Sequence, residues 1–175
     1  MIKIKDKEFV PFISAEEIDN RLKALGAQIS LDFKNDNPII IGVLNGAFMF
    51  LSDLAKYLNI STEISFIKVA SYSGTGSTGK VTDLIGLESV LSGRRVIIVE
   101  DIIDTGLSMN HLLKTINAKN PKSVSVTTLL YKPDALKYDV AIDYIGFEIE
   151  NRFVVGYGLD YDGLGRNIPA IYQLK

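Results

Sequence analysis

The stretch from Val96 to Ser108 constrains this chain more than any other. Val96, Ile97, Ile98 and Val99 run without a polar break, Glu100 and Asp101 follow as adjacent carboxylates, and Ile102-Ile103-Asp104-Thr105-Gly106-Leu107-Ser108 completes the stretch. An unbroken run of apolar β-formers suits a strand buried on both faces of a parallel sheet, because a half-exposed strand would alternate. The residues after it read as a helix entry: Asp104, Thr105 and Ser108 are capping types, and Gly106 permits a tight turn. A strand that runs into such a turn and then a helix aims backbone N–H groups at an anion. The two acids at the strand's end cannot bind that anion, but they suit hydroxyls, a metal ion or a proton. Phosphate donors on one side and acids on the other fit a sugar phosphate.

The rest of the chain supplies matching units. Ser14-Ala15-Glu16-Glu17 has capping-box spacing, and Ile18, Leu22, Leu25 and Ile29 follow at helical spacing, which predicts a helix over 14–30. Pro38 to Leu44 is a buried-strand candidate, and Asn45-Gly46-Ala47 a turn. A helix over 48–58 follows, with Phe48, Leu51, Leu54, Ala55 and Leu58 inward, and then a strand over 62–70. Strand, helix and strand make a right-handed βαβ unit. Residues 71–80 hold three glycines and many hydroxyls, the composition of a hairpin connection or of an active-site lid. Val81 to Leu87 reads as the returning strand and 107–118 as the helix after the central strand, with Leu112, Leu113 and Ile116 in the core. Ser123 to Tyr131, Tyr144 to Ile149 and Ala170 to Leu174 are further strands. The order predicts an α/β fold with a mainly parallel central sheet and the strand at 95–101 near its middle.

Composition excludes several classes. The 175 residues are 47% hydrophobic and 23% charged with a net charge of −2, so the chain is expected to be one globular domain over 1–175. The absence of a basic block argues against a dedicated nucleic-acid binder. With no cysteine, disulfides and thiolate metal sites are excluded, and His111 alone is a poor metal ligand. No apolar signal core opens the chain and no run is long enough to cross a membrane, so the expected location is cytoplasmic.

The stretch over 96–108 resembles the phosphoribosyl-pyrophosphate motif of the type I phosphoribosyltransferases: four apolar residues, two acids, two apolar residues, then Asp-Thr-Gly and a hydroxyl. The likeness extends over residues 38–166. Leu44-Asn45-Gly46 stands where the 6-oxopurine members carry a pyrophosphate loop, and Ser71-Tyr72 opens a stretch similar to their flexible loop. Lys132 ends a strand, and Phe153-Val154-Val155-Gly156-Tyr157-Gly158-Leu159-Asp160 is similar to their purine-site segment, with Arg166 beyond it. The chain resembles the short bacterial hypoxanthine-guanine phosphoribosyltransferases.

This resemblance implies a purine-salvage glycosyltransferase that moves the 5-phosphoribosyl group of phosphoribosyl pyrophosphate to hypoxanthine or guanine. The products would be IMP or GMP and pyrophosphate, and magnesium would be required. It also implies a small hood of purine-site segments at about 132–175, a flexible loop at about 71–80, and a homodimer or homotetramer. Residue by residue, Asp104, Thr105, Gly106, Leu107 and Ser108 would hold the 5′-phosphate. Glu100 and Asp101 would take the ribose hydroxyls beside magnesium, and Asp104 would also lie near purine N7. Lys132 would donate to the 6-oxo group, Phe153 would stack on the base, and Val154 would offer its backbone to the base edge. Asp160 would sit by a second magnesium through water, and Arg166 would clamp pyrophosphate. Many relatives carry Lys or Arg where this chain has Asn45, and the peptide bond before that residue is often cis in the family.

Plainer readings exist for single residues. Taken alone, Lys132 is a surface lysine beside a turn and Phe153 a core aromatic. For the whole chain three alternatives stand: a transferase that prefers xanthine, a non-catalytic regulator that keeps the fold, and an unrelated nucleotide-binding scaffold.

Overall fold

The computed structural model describes residues 1–71, 81–85 and 90–175. In chain order the elements are β1 (Ile2–Ile4), β2 (Lys7–Ile13), α1 (Ala15–Asp32), β3 (Ile39–Leu44), α2 (Phe48–Lys56), β4 (Glu63–Ser71) and β5 (Val81–Ile85). Then come β6 (Arg95–Ile103), α3 (Leu107–Asn117), β7 (Ser123–Tyr131), β8 (Tyr144–Glu148), β9 (Val154–Val155) and β10 (Ile171–Leu174). The expected loop at 71–80, Tyr72 included, lies outside the described residues except for Ser71, which ends β4.

Among the described residues two sheets form. The larger has the order β5-β4-β3-β6-β7-β8, all parallel except β5, which pairs antiparallel with β4 at the edge. The apolar runs explain its depth. Ile39, Ile41, Val96 and Ile98 pack with Met109, Leu112 and Ile116 of α3 on one face. Ile40, Ile97 and Val99 pack with α1 and α2 on the other. Val96 to Val99 are each no more than 1% exposed, and a fully buried aliphatic side chain contributes roughly 1.5–3 kcal/mol. Successive side chains of one strand thus feed two cores, which is why no polar residue interrupts the run.

Local signals act as expected at α1. The Ser14 side chain accepts from the Glu17 backbone and the Glu17 side chain accepts from the Ser14 backbone, a complete capping box. At α2 the inward stripe differs from the expected one. Ala47, Phe50, Leu51 and Leu54 are buried, whereas Phe48 is 42% exposed. These four follow i, i+3, i+4, i+7, so the stripe begins at a small residue whose modest hydrophobicity hid the phase.

The second sheet is antiparallel, with the order β1-β2-β10-β9. Ile4, Phe9 and Val155 form its core. The hood expected from residues 132–175 therefore also takes strands from residues 2–13. The signal for these strands was weak, because their partner β10 lies at the far end of the chain.

The topology places the functional site. From β3 the chain moves to β4 on one side, and from β6 it moves to β7 and β8 on the other. Between β3 and β6 lies the switch point, where two loops leave the carboxyl ends of their strands in opposite directions and open a crevice. β3 pairs with β6 only as far as Val99, so Glu100 and Asp101 follow the point where that pairing stops. The sequence reading put these acids at the strand's end. In the structure β6 runs on to Ile103, because Ile102 and Ile103 still pair with Leu130 and Tyr131 of β7.

Candidate active site

The loop after β6 forms one wall of the crevice. Gly106, not an acid or hydroxyl, is the residue that caps α3. It sits at φ 81° and makes no side-chain cap bond. A Cβ there would press on the Tyr138 carbonyl at 2.9 Å and on Leu136 at 3.0 Å, so only glycine fits both the turn and its neighbours. The Thr105 carbonyl is held by the N–H groups of Lys137 and Tyr138, at 3.0 and 3.1 Å. Its hydroxyl accepts from the Leu107 N–H at 3.4 Å. A cavity of about 250 Å³ is lined by Glu100 and by Asp104 to Met109. The first N–H groups of a helix have no partner within the helix, and Ser108 is exposed beside those of α3, the arrangement that receives a phosphate.

The loop after β3 forms the opposite wall. The Leu44–Asn45 peptide bond is cis, as the resemblance implied. Gly46 is buried, and a Cβ at this position would overlap the Asp101 carboxylate. The carbonyl of Gly46 in turn lies against Gly158, in the segment between β9 and β10. Arg166 closes this stack: its Nη1 donates to the Gly158 carbonyl at 2.7 Å and its Nη2 pairs with Asp160 Oδ1 at 2.6 Å. The other Asp160 oxygen accepts from the Gly163 N–H at 2.7 Å. Asp101, Gly46, Gly158, Arg166 and Asp160 thus form one continuous contact across the crevice.

Burial works against the charge on both acids. Burial pushes the Glu100 carboxyl well above the usual range, and the adjacent Asp101 charge adds to the rise. Burial also raises Asp101, against hydrogen bonds and the Arg166 charge that lower it. The Asp101 carboxylate accepts from the Ile102 N–H at 2.9 Å. Two neighbouring carboxyls with few donors form a set that hydroxyls or a divalent cation would complete. Among the described residues no three His, Cys, Asp or Glu side chains converge as a metal cage. Such a donor set fits magnesium, which commonly keeps waters and substrate oxygens and takes only one or two carboxylates from the protein.

Lys132 is a buried ammonium, 6% exposed. Its backbone N–H donates to the Ile103 carbonyl at 3.0 Å, fastening the end of β7 to the end of β6. Its Nζ lies 3.0 Å from Asp104 Oδ2 and 3.5 Å from Asn151 Oδ1. The reading as a plain surface lysine therefore does not hold. Phe153 is 44% exposed and stands edge-on to Tyr161, with ring centroids 5.9 Å apart. Phe9 backs both rings, and Lys7 Nζ lies 5.5 Å from the Phe153 centroid and 4.5 Å from that of Tyr161. Val154 is buried in β9 opposite Gln173. Sequence reasoning missed Lys7 and Asn151. Lys7 comes from β2, far away in the chain, and Asn151 sits in a polar turn without periodicity, so neither carried a local signal.

Known proteins resemble this chain along most of its length. Residues 14–162 match the phosphoribosyl transferase domain family. The hypoxanthine-guanine phosphoribosyltransferase of Bacillus subtilis is 42% identical, over 93% of this chain and 91% of that protein. The hypoxanthine-guanine-xanthine phosphoribosyltransferase of Tritrichomonas foetus is 44% identical, over 91% and 88%. The structure of a Trypanosoma cruzi hypoxanthine phosphoribosyltransferase variant complexed with IMP superposes with a TM-score of 0.90 at 34% identity, covering all of this chain and 94% of that one. These proteins are similar to this one along nearly their whole length, and the chain belongs to the hypoxanthine-guanine phosphoribosyltransferase family, with the type I phosphoribosyltransferase fold.

Proposed function

We infer that the protein transfers the 5-phosphoribosyl group of phosphoribosyl pyrophosphate to N9 of hypoxanthine or guanine, releasing pyrophosphate and forming IMP or GMP. The observation that carries this reading is the placement of Lys132 Nζ 3.0 Å from Asp104 Oδ2. A 6-oxopurine presents an acceptor, O6, next to N7, which bears a donor in the N7–H tautomer. A buried ammonium beside a carboxylate is the complement of that edge. Adenine offers an amino donor where the ammonium needs an acceptor, so it is mispaired.

The remaining roles follow the crevice walls. Asp104 to Ser108 take the 5′-phosphate through backbone N–H groups and the Thr105 and Ser108 hydroxyls. Leu44, Asn45 and Gly46 hold pyrophosphate with backbone groups, and Arg166 offers a planar cation to its oxygens. Glu100 and Asp101 accept the ribose 2′- and 3′-hydroxyls and sit near C1′, where positive charge grows as the C1′–O bond to pyrophosphate breaks. As the N9–C1′ bond forms, Asp104 accepts the proton that the base gives up at N7. Phe153 stacks on the purine, with Val154 presenting its backbone. Magnesium, held near Glu100 and Asp101 and through water near Asp160, would neutralise pyrophosphate charge. We further propose one domain over 1–175 with the second sheet as its hood, a cytoplasmic location, and a homodimer or homotetramer as in the family. No helix among the described residues is long and apolar enough to cross a membrane.

The test is a base panel. With phosphoribosyl pyrophosphate and magnesium, hypoxanthine and guanine should release pyrophosphate and yield the nucleotides, and adenine should not. Xanthine is included because the Tritrichomonas foetus relative is named for it as well. Turnover of xanthine in preference to both other 6-oxopurines would replace the reading, and turnover of none would overturn it.

A further inference from the structure

We propose that Asn151 is a positioning residue for Lys132, and so a determinant of 6-oxopurine recognition. The inference rests on the reading of Lys132 given above. A buried ammonium has three donors to satisfy. Among the described residues its two side-chain partners are Asp104 Oδ2 at 3.0 Å and Asn151 Oδ1 at 3.5 Å. Asp104 is a shared partner, since its carboxylate is also the acceptor for the base. Asn151 is not shared. When a base draws on Asp104, the Asn151 amide oxygen still restrains the ammonium and leaves its third donor aimed at O6.

The chemistry of the amide suits this task. Only its oxygen can face an ammonium, because its nitrogen is a donor. It is neutral, so it orients the ammonium without neutralising the charge that selects an oxo group. Its position is fixed by the same strand end that fixes Lys132. The Ile149 N–H donates to the Tyr131 carbonyl at 2.8 Å, and the Arg152 N–H donates to the Glu150 carbonyl at 2.7 Å, so the turn carrying Asn151 is tied to the last residue of β7. Two residues later the chain reaches Phe153, so one short turn sets both the lysine and the stacking ring. Asn151 itself is exposed and belongs to none of the three cores.

A double-mutant cycle tests the proposal. Asn151→Ala should raise KM for hypoxanthine and guanine about three- to tenfold, the loss of one hydrogen bond. It should leave KM for phosphoribosyl pyrophosphate within about twofold, and Asn151→Gln, which keeps a neutral amide oxygen, should give a base KM below that of Asn151→Ala. In a Lys132→Ala background, Asn151→Ala should add nothing, because the group it positions is gone. A merely structural role for Asn151 would add its cost in both backgrounds and overturn the proposal. So would unchanged base KM in Asn151→Ala when Lys132→Ala alone raises it. Unchanged base KM in Lys132→Ala would instead remove the reading of Lys132, and the proposal with it.

Discussion

Removing the Lys132 ammonium is the most informative perturbation of the site. The Lys132 side chain is 7% exposed, whereas Asp104, its partner at 3.0 Å, is 46% exposed. In Lys132→Ala, Asp104 turns to water and pays little, while the buried ammonium and its desolvation cost both disappear. The fold should therefore survive, which thermal unfolding checks. Binding of the base should not. A hydrogen bond from a charged donor contributes roughly 1.5–3 kcal/mol, or about ten- to a hundredfold in affinity. Steady-state kinetics should show that rise in KM for hypoxanthine and guanine, with KM for phosphoribosyl pyrophosphate much less changed. Adenine should stay poor, because deleting a donor does not create the acceptor its amino group needs. Unchanged KM for both 6-oxopurines in a folded variant would refute the assignment of Lys132 to O6.

Further perturbations probe other links. Gly46→Ala forces a methyl group into the Asp101 carboxylate, so it should raise KM for phosphoribosyl pyrophosphate on the order of 10- to 100-fold; kinetics like those of the parent protein would show that this contact does not shape the site. Among the described residues the buried Thr127 hydroxyl has no hydrogen-bond partner, so Thr127→Val should raise stability by about 1 kcal/mol in urea unfolding, and a loss of stability would reveal a partner. Ser14→Ala removes the α1 cap and should cost about 1 kcal/mol at neutral pH. The Ser14 hydroxyl and backbone N–H hold the Glu17 carboxyl below its ordinary value. Ser14→Ala keeps the backbone N–H and removes only the share due to the hydroxyl, which is full above the unfolded value and fades as pH falls through the folded one, so the gap between the two proteins should narrow in acid, and a gap constant with pH would exclude the bond from the Ser14 hydroxyl to the Glu17 carboxylate.

The parts of the molecule that were legible from sequence are those fixed by local chemistry. The run Val96 to Val99 faces two cores, and so it could be read as a central strand. Ser14 and Glu17 form their bonds within one turn, so the start of α1 was readable. Ser123 to Tyr131 came out with the bounds of β7. Elsewhere the deciding partners are distant. β1 and β2 pair with each other locally, but it is β10, from the far end of the chain, that joins them to a larger sheet. The burial phase of α2 depends on which side of Ala47 meets the sheet. Acids at 100 and 101 looked like a strand end because composition changes there, yet pairing with β7 carries the strand onward. That Lys132 and Asp104 would both lie at the purine came from the family resemblance, because spacing alone left Lys132 a surface residue. Lys7 over the Phe153 and Tyr161 rings, and Asn151 at Lys132, are products of tertiary packing that no periodicity encodes.

The most direct measurement for the central claim is a crystal structure of the protein with IMP. The complex is expected to hold the 5′-phosphate in the loop from Asp104 to Ser108, the ribose hydroxyls at Glu100 and Asp101, O6 within hydrogen-bond distance of Lys132 Nζ, and the purine against Phe153. IMP bound away from the switch point between β3 and β6, or bound there with O6 turned from Lys132, would contradict the central claim.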